Sequence, residues 1–228
     1  MSEHITAITE RLQQKAVLKQ EVYQTTRAHF QTIKRILRET ARGLAERMDE
    51  HPDVVIDYND KNEFEVQLTF GGDTLIFSMH TNIFSFEQGY FIHELDYVKE
   101  DVDRSYCGMI EVYNFLADSF KYHRVRDMGY MAARIFINKD DHFFVEGQDQ
   151  LGFLFKEFDK MVLNEEALSH LIEQAVLFSI GFDLWAPKYQ DVREVSVGQK
   201  MQQSVFYNHS TGKRVGFDFL NRDDEPTA

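Results

Sequence analysis

The sequence has few of the features that place a protein outside the cell or in a membrane. Its 228 residues include a single cysteine, Cys107, so an internal disulfide is excluded and a reducing compartment is expected. Cys107 lies in an apolar run, where we expect a buried thiol with a raised pKa. The N-terminus lacks the basic and apolar regions of a secretory signal, and no apolar run approaches the roughly 18 residues that a membrane-spanning helix needs. We therefore expect a cytoplasmic protein with no membrane partner.

The sequence also lacks the motifs that mark common catalytic and cofactor sites. There is no GxGxxG, GxxxxGK(S/T), GxSxG, HExxH or CxxC pattern. Residues 210–213 read STGK, which resembles the end of a phosphate loop, but Arg214 stands where a Ser or Thr must bind magnesium. The sequence therefore predicts no cofactor and no metal site, and it favours a protein that is not an enzyme.

Two groups of polar residues have spacings that suit chemistry, and each has a simpler interpretation. Glu166, His170 and Glu173 share one face of a predicted helix, but the apolar residues of that helix place His170 on the solvent side. Glu94 and Asp96 share one face of a predicted strand, and a polar sheet face explains them as well as an acid–base pair does.

Charge is divided unevenly along the chain. Residues 1–47 hold nine basic and five acidic residues, a net charge of +4. The whole chain carries −13, so residues 48–228 carry −17. Because an acidic body repels phosphates, its charge disfavours nucleic acid as a partner.

Residues 1–50 are predicted to form a long basic amphipathic helix, in one piece or in two that join near residues 25–26. The segment has no proline and only one glycine, and a continuous helix would be roughly 70 Å long at 1.5 Å per residue. Its first half begins a weak apolar stripe with Ile5, Ile8 and Leu12, which polar residues interrupt. Its second half has a stronger stripe, formed by Tyr23, Thr26, Phe30, Ile33, Leu37, Ala41, Leu44 and Met48.

Residues 53–220 are predicted to form an α+β body. Short segments alternate between apolar and polar residues, and turn residues such as Gly71–Asp73 separate them, which is typical of an antiparallel meander. We expect about six to eight strands, drawn from Asp53–Tyr58, Glu63–Phe70, Leu75–His80, Asn82–Phe86, Tyr90–Val98, Tyr106–Leu116, Tyr130–Ile137 and His142–Glu146, with a turn at Asn59–Asp60.

The C-terminal part is predicted to contain helices and then a closing β-hairpin. Gln148–Phe158 is a short helix candidate, and Asn164 is placed to cap a helix over 165–180. Apolar residues spread around the second half of that helix, so we expect this half to be buried. The closing hairpin is predicted to pair Val205–Tyr207 with Val215–Phe219. Residues 221–228 are predicted to form an acidic tail.

Basic residues form a ridge along the second half of the N-terminal helix. Arg27, Lys34, Arg38 and Arg42 fall at steps of seven, four and four, and Arg35 lies alongside. We name these five residues the basic ridge and take it as the candidate binding site. It is expected either to contact the acidic body of its own chain or a second copy, or to bind an acidic protein partner.

Two functional hypotheses follow. The first is a non-enzymatic interaction protein, adaptor or chaperone-like, that acts through its N-terminal helix and forms a homodimer through the stripe Tyr23–Met48. The second is a small-molecule-binding protein or enzyme with a pocket between the aromatic sheet face and the helix at 165–180. That pocket would be lined by Tyr90, Tyr97, Tyr106, Tyr113, Tyr130 and Trp185.

Overall fold

The chain begins with one continuous helix, α1, that runs 45 residues from Glu3 to Arg47. The structure is a computed structural model, and it describes residues 3–184 and 186–200. The backbone stays helical through residues 25–26, so the N-terminal helix is one piece. The predicted closing hairpin, the acidic tail and Trp185 lie outside the described residues.

Six strands form one antiparallel sheet in the order of the sequence. Each strand pairs with the next, which confirms the predicted meander and gives the fold its α+β class. The turn at Gly71–Gly72 connects the second and third strands, with Gly71 at φ 58°. The strands are β1 (Ile56–Asn62), β2 (Glu65–Phe70), β3 (Asp73–Met79), β4 (Gly108–Leu116), β5 (Tyr130–Ile137) and β6 (Phe143–Gly147).

Shorter helices connect the strands and follow the sheet. As predicted, Asn164 caps the 16-residue helix α5, and its side chain accepts a hydrogen bond of 2.8 Å from the backbone N–H of Ala167. The helices after α1 are α2 (Asp96–Glu100), α3 (Ala117–Lys121), α4 (Asp149–Leu154), α5 (Glu165–Ile180) and α6 (Tyr189–Val192), with 3-10 turns at Phe91–Glu94 and Val102–Ser105.

Two of the predicted strands are wrong. Tyr90–Val98 forms a 3-10 turn and α2, and within Asn82–Phe86 only Phe84 makes a β-bridge, to Cys107. The apolar residues of this segment pack on one face of the sheet as a separate layer, so their spacing did not come from a pleated strand. The turn predicted at Asn59–Asp60 is also wrong, because β1 continues to Asn62.

The sheet has a core on each face. On the first face, α1 and α5 pack over all six strands, with side chains such as Phe30, Leu37 and Leu171 fully buried. On the second face, the segment between β3 and β4 covers Phe136 and Phe144. Helix α5 corrects one prediction, since only part of its second half is buried: Ala175 and Val176 are buried, whereas Leu177 and Ile180 are exposed.

Helix α1 approaches the sheet most closely where Thr26 meets Gly108. Thr26 is fully buried, and its hydroxyl donates a hydrogen bond of 2.8 Å to the carbonyl of Val22. A Cβ atom at position 108 would lie 2.0 Å from Thr26 Oγ1, which is inside van der Waals contact. The missing side chain of Gly108 therefore sets how closely α1 lies on β4.

Replacing Gly108 with alanine should separate α1 from the sheet. We expect Gly108→Ala to lower the free energy of unfolding by about 1–3 kcal/mol, because the added methyl group overpacks this contact. Urea unfolding followed by circular dichroism measures the change. Gly72→Ala is the matched control, since a Cβ at position 72 meets no atom within 4 Å. Equal loss of stability in both variants would contradict this role for Gly108.

Candidate functional site

Lys34 of the basic ridge is buried against the sheet. Its ammonium donates hydrogen bonds of 2.6 Å to Asp60 Oδ1 and 2.5 Å to the carbonyl of Asn62. It also lies 5.4 Å from the ring centroid of Phe30. Because all of these partners belong to the same chain, Lys34 attaches α1 to the end of β1.

Arg27 and Arg38 lie on the same side of α1 as Lys34. Arg27 forms an ion pair of 2.7 Å with Glu63 in the β1–β2 turn. The guanidinium of Arg38 lies 5.1 Å from the ring centroid of Tyr58, whose pKa burial raises. These three basic residues therefore follow the β1–β2 hairpin and contact acidic or aromatic groups of their own body.

Arg35 and Arg42 point elsewhere, so the structure does not bring all five ridge residues together. Arg35 forms ion pairs of 2.6 Å with Glu165 at the start of α5 and 3.3 Å with Glu39, and these hydrogen bonds raise its pKa. Arg42 is 77% exposed and lies 3.8 Å from Glu46. Four of the five residues thus contact other elements of the same chain, and binding of an external partner by the ridge stays a prediction.

Replacing Lys34 should lower the stability of the fold, because this residue attaches α1 to the end of β1. Lys34→Met keeps the aliphatic volume but removes the donor to Asp60 and to the carbonyl of Asn62. We expect the free energy of unfolding to fall by about 1–2 kcal/mol, the usual cost of losing a hydrogen bond to a charged group that is partly exposed. Arg42→Met is the control, with an expected change below about 0.5 kcal/mol. Indistinguishable urea midpoints would show that the Lys34 contacts do not stabilise the fold.

The strong apolar stripe of α1 is covered by the sheet of its own chain. Thr26, Phe30, Ile33 and Leu37 are fully buried, and Ala41 is nearly so. The prediction that this stripe joins two copies is corrected for a physical reason: an intramolecular sheet face already takes up its apolar surface. A homodimer through another part of α1 remains a prediction.

The first part of α1 extends beyond the sheet. Every side chain from residue 4 to residue 17 is exposed, and Leu18 is the first buried one. We name residues 4–17 the N-terminal arm. Its large apolar residues Ile5, Ile8, Leu12 and Val17 are 49–60% exposed.

Most of these apolar residues lie on one side of the arm, which we name its inner side. Ile5, Ile8 and Leu12 continue toward the N-terminus the three- and four-residue steps of the buried stripe, so they point in the same direction as Phe30 and Leu37. The weak stripe in the sequence was the signal for this surface. Polar residues after Leu12 made it look minor, although they mark the place where α1 leaves the body.

Basic residues accompany the inner side where the arm meets the body. Arg11 and Lys15 lie in the arm, and Lys19 follows one turn later. The ammonium of Lys15 lies 6.0 Å from the ring centroid of Tyr106. Lys19 also borders a cavity of about 590 Å³ between α1 and the segment after β3, lined by Ala16, Lys19, Gln20, Tyr23, Thr81, Asn82 and Ile83.

The aromatic residues proposed to line a ligand pocket are not brought together. Tyr130 lies on the α5 side of the sheet, 5.9 Å from Phe178 between ring centroids, and Asn114 donates a hydrogen bond of 2.8 Å to its hydroxyl. Tyr113 alternates with buried Val112 and therefore lies on the opposite face. The space between the sheet and α5 is filled by buried side chains of Leu168, Leu171, Ile172 and Ala175.

Tyr97, another of these aromatics, belongs to a polar network that holds α2 against the β5–β6 turn. Its ring stacks on His142 with 4.4 Å between centroids, and its hydroxyl donates to Asp140 at 3.2 Å. Asn138 donates to the same hydroxyl at 3.0 Å, and Arg104 lies 4.3 Å from the ring centroid. Burial raises the pKa of Tyr97 to about 12. Each of these groups is engaged with the others, which indicates a structural role.

The remaining chemical candidates are dispersed. Glu94 and Asp96 lie in the 3-10 turn and in α2 with exposed side chains, so they do not share a strand face. Cys107 is fully buried, and burial raises its pKa, as predicted. His170 is exposed, also as predicted. Within residues 3–184 and 186–200, no group of three or more His, Cys, Asp or Glu side chains is placed to hold a metal ion.

The chain matches no protein-family model, no curated protein and no solved structure. Among the described residues, no helix is both long enough and apolar enough to cross a membrane.

Proposed function

We propose that this protein is a non-enzymatic interaction protein, of the adaptor or chaperone-like kind, that binds a protein partner through its N-terminal arm. The observation that carries the proposal is the exposure of every arm side chain, including Ile5, Ile8 and Leu12 on the inner side. An apolar stripe on a helix that extends from its body is a surface for a partner.

The charges of the arm favour a partner with an acidic surface. Arg11, Lys15 and Lys19 accompany the apolar inner side, whereas Glu10 is the only acidic residue from position 4 to position 20. Complementary charge speeds association and selects among partners more than it adds affinity. The net charge of −13 argues against nucleic acid. A buried reduced Cys107 suits a reducing compartment such as the cytoplasm.

Charged residues on the inner side should abolish partner binding. The test variant carries Ile5→Glu, Ile8→Glu and Leu12→Glu in the full chain, because three carboxylates cannot be buried in an apolar contact without a large cost. The measurement is quantitative mass spectrometry of proteins captured from an extract of the source cells by the immobilised chain.

The matched control places the same three charges on the other sides of the arm, as Thr6→Glu, Gln13→Glu and Gln14→Glu. All six positions are exposed in the helix, so both variants should keep the wild-type circular dichroism spectrum. We expect the control to capture the same proteins as the wild type and the inner-side variant to lose them by at least about tenfold. Identical captured sets for the two variants would contradict an interaction through the inner side.

A further inference from the structure

The outer face of α5 is a second exposed stripe, and its composition complements that of the arm. Glu166, His170, Glu173, Leu177 and Ile180 recur at steps of four and three, and all five are exposed. The stripe is acidic toward the start of the helix and apolar at its end, where the exposed fractions are 61% for Leu177 and 59% for Ile180.

The arm has the reverse order of apolar and charged residues. Along the chain direction, Ile8 and Leu12 come first, and Lys15 and Lys19 follow. If the arm runs antiparallel to α5, therefore, apolar residues meet apolar residues and Lys15 meets an acidic residue. In this alignment Ile8 faces Ile180, Leu12 faces Leu177, and Lys15 faces Glu173. Each set spans eight residues, about two helical turns.

The arm cannot reach α5 of its own chain. Helix α1 crosses one end of the sheet at residues 26–29, where Thr26 lies beside Gly108 and His29 contacts Asp141, and the arm extends outward from that end. Helix α5 starts at the same end, since the N–H of Leu163 donates to the carbonyl of Asp141. It then runs toward the opposite end.

The end of α5 is therefore far from the arm. Phe178 contacts Tyr130 at the start of β5, which is the opposite end of the sheet. From the end of the sheet where α1 crosses, Leu12 lies about 14 residues back along α1 and Leu177 about 14 residues forward along α5, which is roughly 20 Å along each helix axis at 1.5 Å per residue. Only another copy of the chain presents this face of α5 to the arm.

We propose that the arm of one copy lies antiparallel on the outer face of α5 of a second copy, and that two such contacts related by a two-fold axis join a homodimer. This inference rests on the proposed function, because it names the partner of the arm. Under this two-fold axis the two contacts are equivalent and each copy uses its one arm and its one α5 face, so no binding surface is left open. Pairing of arm with arm is disfavoured, because each arm carries the basic residues Arg11 and Lys15 against one acidic residue, Glu10, so two arms repel each other.

A charge exchange tests the pairing of Lys15 with Glu173. We expect the wild-type chain to have twice its monomer mass by light scattering. Lys15→Glu and Glu173→Lys should each raise the dimer dissociation constant about tenfold, since each creates a like-charge contact twice in the symmetric dimer. The double variant should return to within about threefold of the wild type, because it restores opposite charges. Both positions are exposed, so the substitutions leave the core unchanged.

A cysteine pair tests the register directly. Ile8→Cys combined with Ile180→Cys should form a covalent dimer under mild oxidation, whereas Gln13→Cys combined with Ile180→Cys should not, because position 13 is on the far side of the arm. Cys107 is fully buried and does not compete in the folded chain. Non-reducing electrophoresis measures the product.

The failure of this inference is distinguishable from failure of the proposed function. A wild-type chain that stays monomeric at about 100 µM, or a double charge variant that stays weakened, would overturn the pairing with α5. If the inner-side variant of that monomeric chain still loses captured protein, the arm binds a different partner and the proposed function stands. If capture is also unchanged, both are overturned.

Discussion

The packing of α1 on the sheet determines most of the other features of this protein. Phe30, Ile33 and Leu37 are fully buried on the first sheet face, and the missing side chain of Gly108 lets the helix approach β4 at Thr26. Since the sheet is shorter than a 45-residue helix, covering its face leaves the rest of α1 outside. The exposed N-terminal arm is therefore a geometric consequence of how the core is filled, and its apolar stripe is left uncovered by residues 3–184 and 186–200.

The same packing divides the basic residues of α1 into two groups with different roles. Lys34 and Arg27 contact Asp60 and Glu63 of the β1–β2 hairpin, so part of the charge difference between helix and body is satisfied within the chain. The basic residues at and next to the arm lie beyond these contacts. The net charge of +4 over residues 1–47 does not distinguish the two groups, because a basic residue adds the same charge wherever it lies. Their positions relative to the end of the sheet separate them.

Local signals in the sequence predicted most of the fold. A glycine turn at Gly71–Gly72, the cap at Asn164 and the absence of proline from α1 each act over a few residues, and the structure confirms all three. The strands predicted within residues 82–98 are wrong. The apolar residues of this segment cover a sheet face formed by strands distant in sequence, and their spacing resembles the alternation of a strand. Which basic residues are buried and which are exposed also depends on tertiary packing, so the sequence could not place the site.

The helical state of the arm bears on how it can bind. An isolated peptide of about 14 residues is only marginally helical in water, because forming the first turn is unfavourable. In this chain, Leu18 and Val22 are already held against the body, so the arm extends an existing helix and needs no new nucleus. A partner therefore meets side chains such as Ile8 and Leu12 in a nearly fixed arrangement, and little conformational entropy is lost on binding. The proposed contact therefore joins two surfaces that are already helical, the arm of one copy and the α5 face of another, so neither has to be ordered first.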